Sequence, residues 1–139
     1  MTDGDDFEAR IGDGEFRLVF TGPPTAEHIG AQVEGPFLTV GDSIVLDDAL
    51  LDYLANLDRS WQGWAGVKSW TSVSDNLTLN ARHDGIGRIF ITAAFRSPGL
   101  ADGEGSEGAW TASAVVVTEP SALGHLATKL RAIREAESV

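Results

Sequence analysis

The chain lacks cysteine altogether, so neither disulfide bonds nor thiolate metal sites contribute to its stability. It also lacks any window that approaches the ~20 consecutive apolar residues of a membrane-spanning helix. Its first six residues, MTDGDD, are acidic and no apolar run follows them, so we expect no signal peptide. Together these absences predict a cytoplasmic protein that does not bind membranes.

Basic residues are scarce, since 10 Lys and Arg side chains oppose 21 Asp and Glu side chains and the net charge is −11. Residues 1–60 hold 13 of the acidic side chains and only 3 basic ones, so nearly all of the excess lies in that half. Such a surface repels a phosphate backbone, and nucleic acid is therefore not an expected partner. A basic protein would be steered toward this half, although the same charge also serves solubility.

Sequence motifs for catalysis and cofactor binding are missing as well. The three histidines, His28, His83 and His125, lie in separate segments and match no zinc-binding spacing. No serine lies in a GxSxG elbow, and the glycine-rich fragments lack the lysine of a phosphate-binding loop. We therefore predict that the chain is not an enzyme, that it has no catalytic residue and that it holds no metal ion or cofactor.

The adjacent pair His83-Asp84 is the nearest approach to an acid–base pair. Neighbouring residues of a strand point to opposite faces, so these two side chains are poorly placed to bond to each other. The pair is followed by Gly85-Ile86-Gly87, and an aspartate before glycines is typical of a chain reversal in which a glycine takes positive φ. We predict a turn here.

What the chain does contain is the composition of one globular domain, with 42% apolar and 22% charged residues over 139 positions. Residues 1–14 are predicted to form an acidic, flexible tail and residues 15–136 a single domain. A polar, glycine-rich loop is expected over 97–109, and no internal sequence repeat is found.

Two segments have the apolar spacing of amphipathic helices. Between residues 46 and 61, leucines and one tryptophan recur every three or four residues, and Asp47 or Asp48 is placed to cap the first turn. A second stripe runs over 120–136, where Pro120 opens the helix and basic residues lie toward its end. The helical stripes contain Leu46, Leu50, Leu54, Leu57 and Trp61, and Leu123, Leu126, Ala127, Leu130 and Ile133.

Elsewhere the apolar residues alternate with period two, which is typical of half-buried strands. The predicted order is β-β-β-α-β-β-β-β-α: an antiparallel meander with both helices packed on a sheet formed mainly by 67–118, and hence an α+β fold. We expect Leu54, Leu79, Ile91 and Val116 to lie in the core. The predicted strands are 15–20, two within 28–40, 67–74, 77–81, 89–95 and 110–118.

Three tryptophans, Trp61, Trp64 and Trp70, fall within ten residues around two glycines. Complete burial of all three is hard to arrange, and exposed aromatic rings are favoured anchors of protein–protein contacts. In the alternative reading, Trp61 completes the helical stripe, Trp70 packs beside Trp110, and only Trp64 is partly exposed.

These residues also carry a resemblance. The pattern resembles a family of small bacterial proteins of unknown function, over roughly residues 15–134, and implies no catalytic residue. The matching segments are Trp61-x-Gly63-Trp64-x-Gly66, Trp70-Thr71-Ser72, Leu77-x-Leu79, His83-Asp84-Gly85-x-Gly87 and Trp110.

A more distant resemblance is architectural. An acidic helix, a Leu-x-Leu strand, a meander that ends near a tryptophan and a closing helix are similar to WapI-like immunity proteins. That resemblance implies binding and neutralisation of a toxin domain, and many such antitoxins are acidic because their targets are basic nucleases.

The sequence thus favours a cytoplasmic protein-binding domain, with an immunity protein against a basic partner as its more specific form. One alternative is a small-molecule-binding domain or enzyme with a pocket between the first helix and the sheet near His83. Another is an accessory structural domain without activity. The predicted docking residues are Glu34, Asp47, Asp48 and Asp52, with Trp64 as the apolar anchor.

Overall fold

The computed structural model describes residues 7–25, 28–97 and 109–137. Over these residues the chain forms two four-stranded antiparallel sheets and two helices, and four strands followed by one helix occur twice in succession. The elements are β1 (Glu8–Ile11), β2 (Arg17–Thr25), β3 (His28–Glu34), β4 (Thr39–Val45), α1 (Asp48–Arg59), β5 (Lys68–Thr71), β6 (Leu77–His83), β7 (Ile89–Ser97), β8 (Trp110–Thr118) and α2 (Pro120–Glu137).

The first sheet has the order β1-β2-β3-β4, with each strand antiparallel to the next. Strand β1 lies inside the segment for which we predicted a flexible acidic tail, and this part of the prediction is wrong. Ala9 and Ile11 are buried and pair with β2, while the charged Glu8 and Arg10 point outward and give the segment its acidic and polar composition. Residues 1–6 of the predicted tail lie outside the described residues.

The second sheet has the order β5-β6-β7-β8 and is also an uninterrupted antiparallel meander. Between β5 and β6 the predicted Asp-Asn turn is present, with Asp75 at a φ of +64°. Along β6 and β7 buried and less buried residues alternate, as the period-two pattern predicted. The strands at the two edges of this sheet are β5 and β8.

Helix α1 begins at the predicted cap, where the side chain of Asp47 accepts a hydrogen bond from the backbone N–H of Leu50 (3.0 Å). It ends at Arg59 with Ser60 as its C-terminal cap. The two helices pack against each other, α2 also contacts β1 and β2, and α1 contacts β5. Among the helices that the structure describes, none is long and apolar enough to cross a membrane.

One hydrophobic core joins the inner faces of both sheets to the buried faces of both helices. Leu54, Leu79, Ile91 and Val116 are fully buried, as predicted, and the α+β fold with antiparallel strands and two packed helices is confirmed. Two details differ from the prediction: there are eight strands, not seven, and they form two sheets. The sheet is divided because α1 separates β4 from β5, and β5 then pairs only with β6.

We predict that Leu79→Ala lowers the free energy of unfolding by about 2–5 kcal/mol, since the substitution removes buried methyl groups and leaves a cavity. The matched control is Leu38→Ala, the same substitution at a side chain that is 65% exposed, which should cost less than about 1 kcal/mol. Chemical denaturation measures both changes. Equal losses for the two variants would contradict the assignment of the core.

Candidate functional site

The loop between α1 and β5 is held by the ring of His83. The backbone N–H of Gly85 donates to Nδ1 of His83 (2.8 Å), so Nε2 carries the proton and donates to the carbonyl of Trp61 (2.9 Å). Gly63 lies against the same ring at a φ of +115°, and a Cβ there would stand 3.2 Å from Nδ1. Both ring nitrogens are therefore engaged by backbone groups, and His83 has a positioning role in this loop.

The turn after His83 is organised by Asp84. Its Oδ1 atom accepts hydrogen bonds from the backbone N–H groups of Ile86 (2.8 Å) and Arg88 (3.0 Å). Both bonds lower the pKa of Asp84 below its ordinary value because they stabilise the carboxylate, and the bond from Arg88 has the larger effect. Gly85 and Gly87 have φ angles of +86° and +110°. The predicted chain reversal is confirmed, and no acid–base pair forms between the two side chains.

Trp64 packs inside the loop. Its ring lies 5.3 Å from the ring of His83 in an edge-on arrangement, and Nζ of Lys68 lies 5.0 Å from its centroid. Lys68 is itself fixed, because Nζ donates to Oδ1 of Asn56 (2.7 Å) and to Oγ of Ser60 (3.0 Å). This residue, which we predicted to be a partly exposed apolar anchor, is half-buried and links the loop to α1 and β6.

The other two tryptophans of this segment differ from the alternative reading of the sequence. Trp70 is buried, with its ring 6.5 Å from that of Tyr53, and it does not pack beside Trp110 because β5 and β8 are opposite edges of the sheet. Trp61 does not complete the helical stripe, because α1 ends before it at Arg59. Instead, Trp61 is 60% exposed.

Trp61 lines a surface cleft, which we call the Trp61 cleft. It is formed by the end of α1, the turn that follows β6 and the start of α2, and it encloses about 470 Å³. Ile86, at the tip of the turn, is 88% exposed and contributes the second large apolar side chain. The residues of the cleft are Asp58, Trp61, Ile86, Gly87, Arg88, Glu119, Pro120 and Ser121.

The Trp61 cleft has an excess of unpaired negative charge. Asp58 and Glu119 make no ion pair with any residue that the structure describes. Arg88 is partly neutralised, since its Nη1 atom lies 3.1 Å from Oδ2 of Asp13. Asp58 also packs closely against Gly124 of α2, which keeps its carboxylate at the junction of the two helices. The cleft thus combines exposed apolar surface with two carboxylates that have no ion-pair partner among the described residues.

Three of the predicted docking residues lie at the cap and along the first turns of α1, and α2 compensates the charges of two of them. Asp48 forms an ion pair with Arg134, and Oδ1 of Asp52 lies 4.0 Å from Nη2 of Arg131. The hydrogen bond from Arg134 lowers the pKa of Asp48, because it favours the ionised carboxylate. Asp47 is occupied as the helix cap. The charges of Asp48 and Asp52 are therefore offset within the molecule.

Glu34 lies elsewhere, on the outer face of the first sheet and away from the core. Its carboxylate accepts from Nη1 of Arg10 (2.5 Å) and from Nε2 of Gln32 (2.8 Å). The bond from Arg10 is the main cause that lowers the pKa of Glu34. The structure therefore does not place Glu34 on one surface with Asp47, Asp48 and Asp52.

Within the residues that the structure describes, no group of three or more histidine, aspartate or glutamate side chains is arranged to hold a metal ion. The fold and the site define a two-sheet α+β domain whose most distinctive surface is an open, acidic and partly apolar cleft. A family model described as a family of unknown function, DUF6228, matches residues 26–137, and the chain belongs to that family. No curated protein and no solved structure matches the chain.

The sequence analysis did not identify the two large apolar residues of the Trp61 cleft. Trp61 fitted the helical spacing, and Ile86 stands between two glycines, where it was treated only as part of a turn. The one available signal was that isoleucine, because a large apolar side chain at the tip of a glycine turn has no core to enter.

The lowered pKa of Asp84 predicts a pH dependence. A carboxylate with a depressed folded-state pKa contributes stability that is present above its ordinary value of 3.8 and is lost as the pH falls through the folded pKa. Asp84→Asn removes this contribution but keeps a side chain suited to the turn. We expect the variant to melt below the wild type at pH 7, with the difference shrinking below about pH 4. A difference in Tm that is constant from pH 7 to pH 3 would contradict this role.

Proposed function

We propose that this chain is a protein-binding domain that receives a basic segment of its partner in the Trp61 cleft. The observation that carries the proposal is the placement of two exposed apolar side chains, Trp61 and Ile86, beside the free carboxylates of Asp58 and Glu119. A lysine or arginine combines an apolar stem with a charged head, and such a side chain matches this combination.

The indole of Trp61 supports the choice of ligand. A guanidinium or ammonium group stacks favourably on an indole face, and the contact strengthens when it is partly desolvated in a cleft. Asp58 and Glu119 supply acceptors for charge-assisted hydrogen bonds with the same head group. Arginine fits better than lysine, since its planar head both stacks and bonds in two directions.

The charge of the whole chain favours the same class of partner. A net charge of −11 accelerates encounter with a basic protein and makes the association sensitive to salt. The more specific form of the proposal is an immunity protein that blocks a basic toxin in the cytoplasm, in line with the resemblance to WapI-like immunity proteins.

The alternative of an enzyme or small-molecule binder near His83 draws less support. The Trp61 cleft is adjacent to that histidine, but both ring nitrogens already bond to backbone groups. The acidic face of α1 is likewise a weaker docking surface than we inferred from the sequence, because Arg131 and Arg134 stand opposite its aspartates.

We predict that Trp61→Ala weakens binding of an arginine hexapeptide by about ten-fold or more, as expected for loss of an aromatic anchor. Calorimetric titration at low and high salt measures the effect. The matched control is Trp110→Ala, which removes another exposed indole, 43% accessible, on an edge strand outside the cleft. If the wild type does not bind the peptide, or if both variants bind equally well, the cleft is not the docking site.

A second comparison separates the two acidic surfaces. Asp58→Asn with Glu119→Gln should weaken the peptide and reduce its salt dependence, because the free carboxylates of the cleft are gone. Asp48→Lys with Asp52→Lys changes the charge by a larger amount, but on the compensated face of α1. We expect this second variant to bind only slightly less well, through the change in net charge. The reverse order of effects would assign docking to α1.

A further inference from the structure

The four edge strands of the two sheets are protected unequally. Natural sheets keep their edges from pairing with other chains by being short or by carrying charges and irregularities. Strands β1 and β5 are four residues long and carry charged side chains, and β4 contains Gly41-Asp42 at its centre. Strand β8 is nine residues long, and no charged residue and no proline occurs in it. It is therefore the one edge without such protection among the described strands.

One end of the β8 edge is already paired within the chain. The backbone N–H of Asp13 donates to the carbonyl of Val117 (2.9 Å), so that carbonyl points away from β7. In an antiparallel strand the direction of the backbone groups alternates from residue to residue. The N–H and C=O groups of Thr111, Ser113 and Val115 therefore also point away from β7, and no described residue pairs with them.

The inner side of this free edge opens onto a small apolar cleft of about 60 Å³. Phe16 and Leu38, which directly precede β2 and β4, form one wall, and Ala112 and Ala114 of β8 form the other. Phe37, beside it in the chain, is 97% exposed. A strand added next to β8 would place its inward side chains over this cleft, where only small ones fit.

We propose that β8 pairs with β8 of a second copy of this chain, which joins the two second sheets into one continuous sheet of a two-fold symmetric dimer. An antiparallel pair centred on Ser113 sets Thr111 opposite Val115 of the other copy. All of these residues have outward backbone groups, so each pair exchanges two N–H···O=C bonds.

The inward side chains of β8 suit this pairing. The inward residues that meet across the axis are Ala112 and Ala114, whose methyl groups match the small apolar cleft. Because the strand is uncharged, its two copies place no like charges opposite each other in the pair. An isologous contact of this kind closes on itself and leaves no free edge for further growth.

Sedimentation velocity of the full chain tests the proposal. The wild type should sediment as a species of twice the 14.7 kDa chain mass, with monomer appearing on dilution. Ser113→Lys places two like charges at the axis and should raise the dissociation constant by about ten-fold or more. Ser69→Lys puts the same charge on the outer face of the other edge strand, β5, and should leave the dimer intact.

Cross-linking gives a second readout that does not depend on weakening the contact. The chain has no cysteine, so a single Ser113→Cys substitution introduces its only thiol. Opposed residues of a hydrogen-bonded pair have Cα atoms about 5.5 Å apart, within the range of a disulfide. With oxidised glutathione, Ser113→Cys should form a covalent dimer rapidly, whereas Ser69→Cys should not.

A wild type that remains monomeric at about 100 µM overturns the proposal, since the edges then do not pair at a concentration where even a weak dimer is populated. So does a dimer that Ser113→Lys leaves unchanged and that Ser113→Cys does not cross-link, because another surface must then hold it. Thermal denaturation of each variant confirms that the sheet is intact. Failure here leaves the Trp61 cleft untouched, as the two surfaces share no residue.

Discussion

The structure depends on the burial of two apolar sheet faces in one core. Each sheet has one apolar face that must be covered, so neither is stable alone, and the packed pair α1 and α2 contributes the leucines that complete the interior. This arrangement determines the surface. The end of α1 and the start of α2 meet the turn after β6 at the Trp61 cleft, while the sheets diverge beneath the free edge of β8.

The distribution of charge follows from the same packing. Where α1 and α2 run side by side, the arginines of α2 meet the aspartates of α1, and the acidic face is compensated internally. Where the two helices approach the cleft, Asp58 and Glu119 have no such partners among the described residues. A high density of acidic residues in the sequence is therefore a poor guide to docking, and unpaired carboxylates beside exposed apolar groups are a better one.

Much of the fold was predictable because local patterns agreed with the final packing. The leucine spacing from Leu46 to Leu57, the cap at Asp47 and the alternation in β6 and β7 each indicate one structure only. Strand β1 was missed because Ala9 and Ile11 are just two apolar residues among charges. The division into two sheets was missed because strand pairing depends on which distant segments meet. The alternation of apolar and polar residues within a strand carries no information about its partner strand.

The site was less predictable than the fold. The glycine turn was expected from Asp84 and its neighbours. The exposure of Trp61, however, depends on the residue at which α1 ends, and apolar spacing locates a helix end only to within about one helical turn. The partial exposure of Trp64 was expected, but its contacts with His83 and Lys68 were not. Such assignments need the contacts of side chains that are distant in sequence.

The most direct test of the Trp61 cleft uses the four tryptophan side chains as reporters. In an NMR titration with an arginine hexapeptide, each indole N–H gives its own resonance, and the four rings sample the cleft, the loop, the core and the edge of β8. A basic segment that binds in the Trp61 cleft should shift the resonance of Trp61 saturably while those of Trp70 and Trp110 stay in place, and added salt should reverse the shift. Shifts confined to Trp110, or no shift at a peptide concentration of about 1 mM, would contradict a basic partner at this cleft.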